Sequence, residues 1–109
     1  MKENTVFIKE IENAEHLGWA IDWNYKRSKE LCNERINFYK IPRKENEIKD
    51  AGEILKSVGV KEFSISDRGD RLIPVIAEFS KFGYEISGLV KVYEDFLHEP
   101  VPGILLRAM

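Results

Sequence analysis

Two glycines do most to fix what this chain can become. Gly59 and Gly83 each end a stretch whose apolar residues recur at helical spacing and begin one whose apolar residues alternate. A glycine just past a helix supplies the left-handed residue that lets the chain turn, and a change of period across it marks helix passing to strand. Before Gly59, the residues Ile48, Ala51, Leu55 and Val58 form one face, and Val60 follows as the apolar residue that folds back on such a cap. Before Gly83, Leu72, Ile73, Ile76, Phe79 and Phe82 recur in the same way. The spacing predicts helices over 44–58 and 71–82, with Pro74 in or next to the first turn, where little backbone bonding is lost. Residues 62–66 then read as a strand with Phe63 and Ile65 on one side. Tyr84, Ile86, Val90 and Val92 share one parity, and Gly88 marks a bulge among them. After the loop EDFLHEPVP, the run GILLRAM reads as a last strand. It is expected at a sheet edge, open to pairing with a second copy, which makes a homodimer an expectation.

A strand-helix-strand unit in one sheet pairs parallel with a right-handed crossover, and the last two strands form an antiparallel pair. The expected fold class is α+β: a small single domain with a three-stranded mixed sheet packed with helices. Residues 44–109 form its core, and residues 1–43 form a helical, aromatic-basic region that covers a remaining face or edge. A length of 109 residues suits one core, and 43% hydrophobic with 33% charged residues suits a globular chain.

The N-terminal region carries weaker signals. Residues 4–17 are expected helical, with Asn4 as cap, Phe7, Ile8, Ile11 and Ala14 on one stripe, and Gly18 at the end. In WAIDWNY, the residues Trp19, Ile21, Trp23 and Tyr25 alternate, which favours a short extended segment. Leu31, Cys32, Arg35, Ile36 and Tyr39 then suggest a helix over 26–39, ended before Pro42.

The totals exclude several classes of function. A net charge of −2 provides no global basic field for nucleic acid. The single Cys32 rules out an internal disulfide and fits a reducing compartment. Charges interrupt every apolar run of MKENTVFIKEIENAEHLGW, so no signal peptide is expected, and no run spans a bilayer. A cytoplasmic location with no membrane partner follows, and Arg68-Gly69-Asp70 is not expected to act as an adhesion motif.

Three groups of residues could carry chemistry. In SISDRGDRL, the residues Asp67, Arg68, Asp70 and Arg71 stand where a strand passes to a helix, a place where sheets bind anions, nucleotides or Mg²⁺. The structural reading is favoured there: Asp70 caps the helix, Asp67 and Gly69 turn the chain, and the arginines face water. His16, His98, Cys32 and Glu99 supply the types needed for a nucleophile and its base but no spacing that joins them, and Cys32 falls on an apolar stripe with Leu31 and Ile36. No enzyme activity, cofactor or metal site is expected. The third group is the segment 19–44, in which aromatics alternate with cations: Trp19, Trp23, Tyr25, Arg27, Arg35, Tyr39 and Arg43. Such residues dominate protein–protein contacts and also stack on single-stranded bases. The structural reading, which carries the most weight, is that the aromatics pack inward while the lysines coat a solvated face.

From residue 47 onward, EIKDAGEILKSVGVKEFSISD, LIPVIAEFSKFGYEISGLVKV and PGILLRAM resemble a family of short uncharacterised proteins from anaerobic Gram-positive gut bacteria and their mobile or phage-like elements. The shared pattern is a helix ending in Gly-Val, a TISD-like strand, a helix rich in Ala and Phe, a strand containing Gly-Leu and an apolar last strand. The relatives carry a Ser-Thr-rich turn where this chain has Arg68 to Arg71. The resemblance implies an architecture and a setting, and no activity. The function expected is therefore a non-catalytic protein-binding accessory or inhibitor module, encoded by a mobile element or phage and directed at a host or defence factor. A nucleic-acid binder working through Trp19–Lys44 is the second reading, and a nucleotide or anion binder at Asp67–Arg71 the third.

Overall fold

The structure is a computed structural model and describes residues 11, 16–41, 44–67, 69–94 and 99–109. Its elements run α1 (Gly18–Glu30), β1 (Asn37–Phe38), α2 (Glu45–Val58), β2 (Glu62–Ile65), α3 (Gly69–Ser80), β3 (Tyr84–Val92) and β4 (Val101–Ala108). One sheet of four strands has the order β1-β2-β4-β3. The chain is thus α+β, with one strand more than the three expected. The extra strand is β1, two residues drawn from the N-terminal region that pair parallel with Ser64 and Ile65 of β2. It escapes hydrophobic pattern because two residues are too few to show a period.

The C-terminal half follows its sequence pattern closely. Gly59 sits at φ +88°, the N–H of Val60 bonds the Leu55 carbonyl at 3.0 Å, and Val60 is buried, as the cap requires. Gly83 also has φ +88° and turns the chain into β3. A register shift between Ile86 and Gly88 is the bulge that Gly88 marks. Two details differ. The strands β2 and β3 do not pair with each other, because β4 inserts between them and runs antiparallel to both. The last strand is therefore interior, and the open edge expected there lies at β3. Pro74 stands in the second turn of α3, opposite the carbonyl of Asp70; both residues are exposed, so water can take up the unbonded carbonyl.

The core lies on one face of the sheet. Phe38 and Ile65 are neighbours across β1 and β2, as are Phe63 and Leu106 across β2 and β4, and all four are buried. Phe79 of α3 packs edge-on to Phe63 with ring centroids 4.9 Å apart, and Tyr84 meets Phe63 at 5.0 Å. The α2 residues Ile48, Ala51 and Leu55 complete this cluster. Gly52 admits the ring of Phe82, since a Cβ there would lie 2.5 Å from it.

The N-terminal region departs most from expectation. Of the helix expected over 4–17, only Ile11, His16 and Leu17 are described; Ile11 is helical and buried in the core. Residues 18–30, expected as an extended segment and the start of a later helix, form a single helix. The alternation of Trp19, Ile21, Trp23 and Tyr25 is produced by two interleaved helical pairs. Positions 19 and 23 share one face, while 21 and 25 lie about 200° and 240° round the helix from 19. Ile21 and Tyr25 are accordingly buried, and Trp19 and Trp23 are exposed.

The inward stripe of α1 also carries Asn24 and Ser28, both buried. Their side chains bond the outer edge of β1. Ser28 Oγ accepts the Asn37 N–H at 2.8 Å and lies 3.4 Å from its carbonyl. Asn24 Oδ1 accepts the N–H groups of Tyr39 and Lys40 at 2.7 and 3.1 Å, and its amide donates to the carbonyl of Lys40 at 3.1 Å. Helix and strand keep step along this edge, because four residues of helix rise about 6.0 Å and two of strand about 6.6 Å. The helix closes the sheet edge with side chains in place of a strand, so the N-terminal region covers an edge.

Its end is polar as well. Cys32 takes φ 61°, with its N–H on the Lys29 carbonyl and that of Asn33 on the Ser28 carbonyl, each at 3.0 Å. This is the same cap that Gly59 makes, built on a non-glycine residue. Cys32, expected buried beside Leu31 and Ile36, is exposed because it is the turning residue, while those two neighbours are buried. The helix expected over 26–39 thus stops at Glu30.

Candidate functional site

A helix that spends its inward stripe on a backbone edge has another stripe left for solvent. On α1 it runs through Trp19, Asp22, Trp23, Lys26, Arg27 and Glu30, which line a groove of about 730 Å³. Trp19 is 53% and Trp23 41% exposed, one turn apart. Lys40 lies 5.7 Å from the ring of Trp23. The cations of this stripe are already matched: Lys26 pairs with Asp22 at 3.0 Å and Arg27 with Glu30. Arg27 also reaches the carbonyl of Glu94 at 3.4 Å.

The segment 19–44 therefore divides. Trp19, Trp23 and Arg27 share one solvent-facing stripe. Tyr25, expected on the same surface, is 8% exposed and belongs to the core, because it falls on the opposite side of the helix; Lys29 lies 5.4 Å over its ring. Arg35 is held by Glu62 at 3.3 Å, and Arg107 donates to the other oxygen of the same carboxylate at 2.9 and 3.1 Å. Burial alone raises the pKa of Glu62, but the hydrogen bond from Arg107 and the charge of Arg35 outweigh it and hold the carboxyl below its usual range. Arg35 is thus a structural partner of the sheet.

Tyr39 is structural too. Its hydroxyl donates to the carbonyl of Tyr93 and accepts from the amide of Asn33. Asn33 in turn pairs with both backbone groups of Tyr93, at 2.6 and 2.9 Å, and so ties the end of α1 to the end of β3. Desolvation, aided by the charge of Glu94 and opposed by the Asn33 bond, pushes the Tyr39 phenol up to about 12. Arg43 lies outside the described residues.

At the second candidate, Arg68 lies outside the described residues. Asp67 is an exposed bend, and α3 begins at Gly69. Asp70, expected as the cap, sits within the first turn of the helix, where a carboxylate faces the positive end of the helix dipole. Arg71 is half-buried. His98 also lies outside the described residues, while His16 lies two residues before α1 and Glu99 is exposed before β4. Among the described residues, no group of His, Cys, Asp and Glu could hold a metal ion, and no helix is long and apolar enough to cross a membrane.

A second concavity was hidden in the sequence. The start of α1 and the middle of α2 enclose about 320 Å³, lined by residues 16–21 together with Glu47, Asp50, Ala51, Glu53 and Ile54. Gly18 opens α1 here at φ +73°, a left-handed conformation that favours glycine, while the space would admit a Cβ, 3.4 Å from the side chain of Ile54. The only sequence signal for it is the spacing of acids at 47, 50 and 53. The partners from α1 lie about thirty residues away and are joined only by packing.

A family model described as "Domain of unknown function (DUF7698)" matches residues 20–107. That range takes in most of α1 as well as nearly all of the half of the chain whose pattern resembles uncharacterised proteins. No curated protein and no solved structure gave a match.

Proposed function

We propose that this chain, which belongs to the DUF7698 family of domains of unknown function, is a non-catalytic module that binds another protein through the outward stripe of α1. The observation that carries this reading is the pair Trp19 and Trp23, about half exposed and one turn apart on a helix whose buried stripe holds asparagine and serine. Tryptophan is the residue most enriched where binding energy concentrates, and its exposure gains nothing for the folded monomer. In the mobile-element setting implied by the resemblance of residues 47–109 to short uncharacterised bacterial proteins, the partner is a host or defence factor and the module an accessory or inhibitor.

Charge favours protein over nucleic acid at this stripe. Lys26 and Arg27 each face a carboxylate on the same helix, so a phosphate would have to displace Asp22 and Glu30. Affinity capture with the wild type and with Trp23→Ala tests the reading. The variant should keep the wild-type melting temperature and lose a specific protein partner. An unchanged set of partners would count against the stripe. A gel shift at low salt that disappears at high salt would move the assignment to nucleic acid.

A further inference from the structure

The cavity between α1 and α2 has an apolar floor and an acidic rim. Leu17, Ile21, Ala51 and Ile54 make the floor, Glu47, Asp50 and Glu53 the rim, and His16 and Trp19 complete the lining from the α1 side. Among the described residues, none of the three carboxylates enters an ion pair, although Lys49 lies one turn before Glu53; the ion pairs of α1 are made elsewhere on that helix. Here three carboxylates share one concavity with no described cation paired to them, in contrast with the matched charges of the neighbouring stripe.

We propose that this cavity seats a basic side chain, arginine above all, presented by the protein partner; the inference rests on the docking reading of α1 given above. An arginine meets each part of the site. Its methylene stem covers the apolar floor, its guanidinium reaches the carboxylates in a forked geometry, and its plane can stack on the indole of Trp19. A neutral or acidic side chain would cover the same carboxylates without a counter-charge, at a desolvation cost. The position supports this too, because Trp19 lines both this cavity and the α1 groove, so one partner segment can cross from one to the other.

The test uses N-acetyl-arginine amide as the probe, with the lysine analogue and the uncharged citrulline analogue beside it, followed by amide chemical shifts of the whole chain. Arginine should give saturable shifts confined to residues 17–21 and 47–54, with lysine weaker. Affinity should fall at least about tenfold for citrulline, and equally for the variant Glu47→Gln/Asp50→Asn/Glu53→Gln, which removes charge from solvent-facing positions. Trp23→Ala, outside the cavity, should bind the probe as wild type does. Shifts that are absent, scattered over the surface or equal for citrulline would overturn the assignment. If the probe fails while Trp23→Ala still loses its partner, the cavity is wrong and the docking stripe stands. If the probe binds while Trp23→Ala keeps every partner, the stripe is wrong and the cavity stands.

Discussion

The helices α1 and α2 have nearly the same length and share one core, yet they are built in opposite senses. On α2, Ile48, Ala51 and Leu55 face inward and charged residues face water. On α1, Asn24 and Ser28 are buried among Ala20, Ile21 and Tyr25, while two tryptophans face out. Their ends repeat the contrast. The cap of α2 turns on Gly59 and brings Leu55 and Val60 together, whereas that of α1 turns on Cys32 and brings Ser28 and Asn33 together. The difference lies in what each helix covers. A helix packed into the apolar core buries apolar groups, and one laid along a strand edge must answer N–H and C=O groups. The inward polar stripe of α1 is what its position demands. The outward tryptophans are not demanded by the fold, which is why they bear on function.

The sharpest way to break this contrast is to give α1 the inward pattern of α2. Asn24→Leu improves the apolar stripe, yet it leaves the N–H groups of Tyr39 and Lys40 without their acceptor. It should destabilise the chain by about 3 kcal/mol in chemical denaturation, with a loss of edge protection at Tyr39 and Lys40 in hydrogen exchange. A neutral or stabilising effect would mean that the edge bonds are dispensable. On α2 the corresponding probe is Gly52→Ala, which helix propensity favours but the ring of Phe82 opposes. A net loss of about 2 kcal/mol is expected, read from the denaturation midpoint.

Next in size is the polar cluster on the opposite face of the sheet. Glu62→Gln should cost about 1 kcal/mol at neutral pH, since it weakens bonds to both Arg35 and Arg107. Because the Glu62 carboxyl titrates below its usual range in the folded chain, its contribution is complete above the unfolded-state pKa and is lost as pH falls through the folded one. The gap between wild type and variant should therefore close in acid. Tyr39 works at the other end of the scale. With its phenol raised to about 12, its contribution is whole below the ordinary tyrosine value and declines as pH rises toward 12. The smallest effect belongs to the α1 cap. Cys32→Gly relieves a left-handed non-glycine residue and should raise stability by about 0.5 kcal/mol, after the greater freedom of glycine in the unfolded chain is counted.

The same contrast explains how much could be read from the sequence. The elements from α2 to β4 announce themselves through apolar period and glycine stops, and the structure keeps them within a few residues. The order of the sheet was not legible, because the insertion of β4 between β2 and β3 depends on pairing that no local pattern encodes. For α1 the period was actively misleading: an inner pair and an outer pair of large residues, offset by two positions, imitate a strand. Trp19, Trp23 and Arg27 were identifiable as surface candidates by residue type alone. Tyr25, Arg35 and Tyr39 were of the same types, but each is tied into the fold. The acidic cavity needed the packing of α1 on α2 before its two halves could be seen as one site.

Indole accessibility tests the inside-out arrangement of α1 most directly, since Trp19 and Trp23 are the chain's two tryptophans. In the native protein both should emit close to the wavelength of the unfolded chain and be readily quenched by acrylamide, with Trp19→Phe and Trp23→Phe each retaining one such exposed signal. Blue-shifted emission shielded from quencher in both single variants would place the tryptophans inside and contradict the arrangement.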